Sequence, residues 1–255
     1  MLRIENLSVA VAGRKILDKI DLHIAPGEVH VLFGPNGTGK STLIGAVMGF
    51  ERYQVLEGRI WFKGQDITSL PCYERAKLGV GMMIQRPPTI RGLSLRKMTE
   101  LCGATPEETE HLAEFLDMTA FLDRNVNEGF SGGELKRAEL LQLLAQKPEL
   151  LLLDEPESGV DIENIALVGR AANRIIQGKG HGALIITHLG HILQYVPATH
   201  AHILYQGRIT CQQDAPLEVL RCIEDSGYSA CVAGSGCHSA DKCSACGKCG
   251  LKETK

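Results

Sequence analysis

No apolar run in this chain exceeds strand length. The longest, residues 150–153 and 183–186, fall far short of the ~20 residues a helix needs to cross a bilayer. Charge of one sign is lacking too. The 27 Lys and Arg nearly balance the 30 Asp and Glu, for a formal net charge of -3, so overall electrostatics give no reason to seek nucleic acid or an anionic membrane. The opening MLRIENLSVA lacks the basic-then-apolar layout of a secretory leader. These absences together predict a cytoplasmic chain with no nucleic-acid partner and no direct membrane insertion.

What is present is enough for one large α/β unit: 255 residues can bury a real core. Nine cysteines are unevenly placed. Cys72, Cys102, Cys211 and Cys222 are scattered and read as small apolar core residues. Cys231, Cys237, Cys243, Cys246 and Cys249 crowd the end, where metal or redox chemistry is a better reading than disulfides.

Periodicity predicts strands over 2–11, 15–24, 29–33, 58–62 and 80–84, with helices over 40–49 and 73–78 between them. The Arg86-Pro87-Pro88 stop opens a different texture, with helices over 94–102 and 106–118. The second of these has a capping box from Thr105 to Glu108 and an apolar face of Leu112, Phe115, Leu116 and Thr119. Residues from about 86 to 130 form a small helical insertion in this reading. The core resumes with strands over 150–153 and 183–187 flanking a helix over 162–177. Two edge strands follow over 202–205 and 208–211, and a helix over 216–225 closes the unit. From Ser229 the chain is small, polar and rich in Cys and Gly, a composition that cannot build a core without a ligand or partner.

Gly34-Pro35-Asn36-Gly37-Thr38-Gly39-Lys40-Ser41 follows a buried strand and opens a helix. Glycines let backbone N–H groups curl around phosphate oxygens, and the helix N-terminus adds partial positive charge. Lys40 would reach the β- and γ-phosphates, and the Ser41 hydroxyl would ligate Mg²⁺; Thr42 continues the site. Four leucines then deliver Asp154 and Glu155 to the carboxyl end of a strand, the edge where ligands bind in parallel sheets. Asp154 suits a Mg²⁺ contact and Glu155 a water-orienting base. Gln85 and His188 end two further apolar strands and join the same constellation, Gln85 as a neutral oxygen for Mg²⁺ or water.

Ser131-Gly132-Gly133-Glu134 satisfies a capping box, but two glycines in a first turn cost ~1 kcal/mol each relative to alanine. That cost makes sense where a phosphate must approach the helix end closely.

These residues resemble the ABC ATPase family across nearly all of positions 1–228. Gly34–Ser41 matches its Walker A loop, Gln85 its Q-loop, and Phe130-Ser131-Gly132-Gly133-Glu134 its signature. Residues 150–155 match Walker B, Ser158-Gly159-Val160-Asp161 the D-loop, and His188 the switch histidine. The resemblance implies an α/β P-loop NTPase fold of the ABC nucleotide-binding type, with an antiparallel β subdomain and a small helical insertion. It also implies ATP hydrolysis with Mg²⁺, catalytic Glu155, His188 and Gln85, and an ATP-induced head-to-tail homodimer. In that dimer Ser131, Gly132 and Gly133 complete the phosphate site of the opposite copy.

Phe130, Glu134, Lys136, Arg137, Glu139 and Gln142, with the run from Glu157 to Ile162, are similar to the SufC branch, the ATPases of the SUF iron–sulfur cluster assembly system. Tyr205-Gln206-Gly207-Arg208 and Ser226-Gly227-Tyr228 match it too. The implied partner is a SufB- or SufD-like scaffold, alone or as SufBD. The alternative is an ATP-binding subunit docking on a membrane permease, and a further class is a metal or redox sensor. Residues 86–91 depart from the usual SufC pattern, and residues 229–255 have no counterpart in it. In that tail Cys243, Cys246 and Cys249 have C-x₂-C-x₂-C spacing. With Cys237, or with Cys231 or His238, they would hold an Fe–S cluster or Zn²⁺; a flexible thiol tail without ligand is the third reading.

Overall fold

The computed structural model describes residues 1–85, 87–159 and 161–233. In chain order it runs β1 (Leu2–Val11), β2 (Arg14–Ile24), β3 (Val29–Phe33), α1 (Lys40–Met48), β4 (Tyr53–Phe62) and β5 (Gln65–Asp66). It continues with α2 (Cys72–Lys77), β6 (Val80–Met83), β7 (Ile90–Ser94), α3 (Leu95–Leu101), α4 (Pro106–Phe115), β8 (Asn125–Val126), α5 (Gly132–Gln146), β9 (Leu150–Asp154), α6 (Ile162–Ile176) and β10 (Gly182–Ile186). It closes with β11 (His200–Tyr205), β12 (Arg208–Gln213) and α7 (Pro216–Val232). The fold is mixed α/β, with an antiparallel sheet and a set of parallel strands flanked by helices.

Two compact units divide the described chain: Met1–Leu70 with residues 198–233, and Pro71–Pro197. In the first, β2, β1, β4 and β5 form an antiparallel sheet in that order. Alternation along β2 buries Leu17, Ile20, Leu22 and Ile24 while the intervening residues stay at the surface, the period-two pattern of a one-sided sheet. The fully buried β3 pairs in parallel with β11, which pairs antiparallel with β12. An arrangement of two edge strands is therefore corrected: β11 has partners on both sides, which is why Ala201–Leu204 are all buried, and only β12 lies outermost of the three.

In the second unit β9 lies between β10 and β6, parallel to both. All five residues of β9 and of β10 are buried, as expected of parallel strands covered on both faces. The expected helical insertion contains α3 and α4, but also an antiparallel contact between β7 and β8. Helix α4 stops at Phe115 rather than 118. Asp117 turns left-handed at φ 53°, so Met118 is buried in place of the expected Thr119, which is exposed. The predicted structureless tail also begins later: α7 breaks at Gly227 (φ 76°) and then resumes, burying Cys231 and Val232. Of the scattered cysteines only Cys211 is buried; Cys72, Cys102 and Cys222 are half-buried.

Candidate nucleotide site

In the first unit β3 hands the chain to the glycine loop. A Cβ at Gly34 would lie 2.3 Å from the Leu204 carbonyl oxygen, and Gly39 sits left-handed at φ 103°, so these two positions admit only glycine. The Lys40 ammonium is folded back inside the loop, donating to the carbonyls of Gly34 at 2.8 Å and Pro35 at 3.0 Å. Thr38 Oγ1 donates to the same Pro35 carbonyl at 2.9 Å. Asn36, Gly37 and Ser41 are exposed, and Pro35 and Thr42 half so.

Among the described α-helices, α1 alone has neither a side-chain N-cap nor an acidic residue in its first turn. Four N–H groups at a helix start need acceptors. Elsewhere Ser94, Thr105, Ser131 and Asp161 accept from such groups, and at α1 no side chain caps the helix end. An anion is the acceptor that this glycine cradle fits, so the loop passes the test of suitability for a nucleotide phosphate.

The second unit carries the carboxylates. Asp154 is buried at the end of β9. Glu155 follows with a left-handed backbone, φ 50°, held by its N–H to the Ile186 carbonyl at 3.1 Å. A non-glycine residue in that region is strained, and such strain collects at functional positions. Gln85 Nε2 donates to Glu155 Oε2 at 2.8 Å. His188 Nε2 lies 2.6 Å from Glu155 Oε1, though off the angle of a formed hydrogen bond. Three of the residues expected to act together thus meet within this unit. Gln85 and His188 each stand two residues beyond their strands, β6 and β10.

The capping box at α5 is complete. Ser131 accepts from the Glu134 N–H, and the Glu134 carboxylate accepts from the Ser131 N–H at 2.7 Å. The glycines have a second reason beyond phosphate approach. A Cβ at Gly132 would sit 2.9 Å from the Gly159 carbonyl oxygen, and one at Gly133 equally close to the Asn164 side chain. Ser131 and Gly132 nonetheless stay exposed.

Two supports were not assigned these tasks from sequence. Lys136 and Glu139, buried one turn apart on α5, grip the backbone of Ile84 from both sides: Lys136 Nζ donates to its carbonyl at 3.3 Å and Glu139 Oε1 accepts from its N–H at 3.1 Å. They thereby hold the residue that precedes Gln85. Burial pushes the Glu139 carboxyl up to about 7, against the opposing pull of the Ile84 N–H and Lys136. Burial likewise lowers the Lys136 ammonium, opposed by Glu139, Asp154 and Glu155. Glu157, also buried, accepts from the Thr187 hydroxyl and from the Ile192 N–H at 2.7 Å, while the Gly190 N–H donates to Thr187 at 2.8 Å. The loop bearing His188 is fixed by this network. An i, i+3 pair of opposite charges on a helix ordinarily reads as a solvated surface pair, so no sequence signal marked either task. The candidate ligands Cys237, Cys243, Cys246, Cys249 and His238 lie outside the described residues.

A glycine loop feeding an uncapped helix, with a parallel strand ending in paired acids, defines the class: a P-loop nucleotide-binding cassette. The particular family follows from comparison. Residues 17–158 match the model of the ABC transporter family, and the chain belongs to that family. It is an ABC-type ATPase, and ATPases of this kind bind ATP with Mg²⁺.

SufC of Escherichia coli, described as a probable ATP-dependent transporter, is 38% identical over 244 residues, covering 89% of this chain and 97% of its own. A probable ABC transporter ATP-binding protein of Streptococcus pyogenes is also 38% identical, covering 90% and 94%. Among solved structures, a nucleotide-free ATP-binding cassette from an ABC transporter superposes with a TM-score of 0.75 at 25% identity, covering 91% of this chain and 98% of that one. Among the described residues no helix is long and apolar enough to cross a membrane.

Proposed function

We propose that this ATPase drives a SufB- or SufBD-like scaffold protein during iron–sulfur cluster assembly. The observation that carries the hydrolytic part is the convergence of Gln85 and His188 on Glu155. In the proposed cycle Lys40 exchanges the loop carbonyls it now holds for phosphate oxygens, and the N–H groups opening α1 donate to the remaining phosphate oxygens. Glu155 orients the attacking water, Gln85 keeps the carboxylate aimed, and His188 contacts the γ-phosphate. Ser41, Gln85 and Asp154 would hold a magnesium ion, which when bound would neutralise charge on the phosphates. Ser131, Gly132 and Gly133 serve the nucleotide of a second copy of the chain, paired head to tail.

Likeness to the E. coli protein named SufC over almost its full length, together with the resemblance of Phe130–Glu134 to the SufC signature, supports the scaffold reading. The Streptococcus relative's description supports the second reading, an ATP-binding subunit of a membrane transporter. Copurification of the chain from its own cells decides between them. A stoichiometric soluble, β-rich partner is expected; an integral membrane protein held at the same stoichiometry would overturn the scaffold assignment and favour transport. The cysteine tail is proposed to carry an Fe–S cluster or Zn²⁺ in either case.

A further inference from the structure

Four residues with ligand chemistry meet on one face of the first unit, at the end of β3 away from the phosphate loop. Glu28, one residue before β3, meets His30 on β3, and strand alternation puts His200 and His202 on the same side of β11. The parallel register sets His30 opposite His200. The rings stack, with the His30 centroid 4.5 Å from that of His200 and 4.9 Å from that of His202. Glu28, His30 and His200 each offer a ligand atom within 4.8 Å of the other two.

His30 and His202 are almost completely buried, an expensive place for imidazoles on a strand that could hold valine. Burial lowers His30, and lowers His202 to about 3, so both rings are neutral and keep a lone pair. His30 Nε2 is 2.9 Å from Glu28 Oε2, and His30 Nδ1 is 2.7 Å from His202 Nε2. The remaining nitrogen of His202, Nδ1, is buried without a partner. Hydrogen bonding among these groups satisfies Glu28 and His30, and His202 Nδ1 stays unpaired with or without an ion.

We propose that Glu28, His30 and His200 bind a divalent transition-metal ion of the zinc class. A tetrahedral ion with bonds of ~2.0–2.1 Å spaces its ligand atoms roughly 3.3 Å apart. The ligand atoms, within 4.8 Å of one another, close toward that spacing by side-chain rotation, and water completes the fourth position. Two histidines and a carboxylate are a ligand set matched to Zn²⁺. His202 is the group that orients His30, since a metal-bound histidine donates its other ring N–H to a neighbour.

Proton balance follows from that role. Without metal, His202 Nε2–H donates to His30 Nδ1, and His30 Nε2–H donates to Glu28. With metal on His30 Nε2, the His30 proton resides on Nδ1 and donates to His202 Nε2, while the His202 proton resides on Nδ1. Each ring keeps one proton and exchanges tautomer, with no net release. The ion cross-links β3 to β11, the strands whose far ends supply Phe33 before the phosphate loop and the Leu204 carbonyl beside Gly34.

The full-length chain, with its thiols alkylated so that the tail cannot bind, is dialysed against micromolar ZnCl₂ and its metal counted. About one Zn²⁺ per chain is expected, with affinity at least ~10-fold weaker in His200→Ala and in Glu28→Ala, both at half-buried positions. No binding by the alkylated wild type, or unchanged affinity in both variants, overturns the proposal. Should either variant misfold, ¹⁵N-histidine NMR of the alkylated wild type reads the same question. Conversion of His30 and His202 to their Nδ1–H tautomers on zinc addition supports the site, and unaltered tautomers refute it.

Discussion

Glu139 shows how one buried group can govern a catalytic loop without touching the nucleotide. One carboxylate oxygen holds the Ile84 N–H; the other is buried with no partner. Burial raises its pKa from the ordinary 4.5 to about 7. The folded chain therefore binds a proton that the unfolded chain has released across this interval, and stability falls as pH rises from about 4.5 through about 7. Gln at this position keeps an oxygen for Ile84 and never ionises. Thermal melts of Glu139→Gln and wild type should thus show the variant gaining on wild type between pH 5.5 and pH 8, by an amount on the order of a few kcal/mol. Parallel pH profiles for the two proteins would remove Glu139 from the pH response. Lys136, gripping the other side of the same residue, keeps the two side chains from acting independently.

At the level of elements, identical caps have different consequences. Thr105 and Ser131 both complete capping boxes, on α4 and α5. Thr105→Ala is expected to cost ~1 kcal/mol in chemical denaturation and to leave ATP turnover alone. Ser131→Ala should cost about the same in stability and also depress turnover, because its helix end is proposed to face a nucleotide. Equal turnover in the two variants would reduce the signature to a cap.

Caps, the glycine loop, the long alternating strands and the buried strand β9 were all legible because each is written in a local window. Elements depending on distant partners were not. The contact of β7 with β8 joins residues over thirty positions apart, and β11 is interior only because β3 lies beside it. The same limit applies to the site. Asp154, Glu155, Gln85 and His188 announce themselves by ending apolar strands. Lys136, Glu139 and Glu157 look like ordinary charges until burial is known. The histidines on β3 and β11 become a cluster only once the register of two strands 170 residues apart is fixed.

For the whole molecule, the question is what completes the cycle. The first unit holds the phosphate loop and the second holds Glu155 with its partners, while Ser131 and Gly132 remain exposed at the start of α5. The α5 box consumes the N–H groups of Ser131 and Glu134 and not those of the two glycines. The role proposed for this exposed helix end is to take an anion from outside the chain, and the γ-phosphate on a second copy has the right charge. Glu155→Gln separates binding from hydrolysis, since amide and carboxylate have the same shape but only the carboxylate can draw a proton from water. Turnover should fall by ~10²-fold or more while ATP binding persists. In millimolar Mg-ATP the variant should therefore sediment as a dimer, and without nucleotide as the resting form. Adding Ser131→Asp provides the decisive control. Aspartate caps a helix about as well as serine, so α5 survives, but its charge stands where the second copy's phosphate would be. The double variant should stay folded, bind ATP and fail to dimerise; an ATP-dependent dimer that tolerates this aspartate would place the pairing surface elsewhere on the molecule.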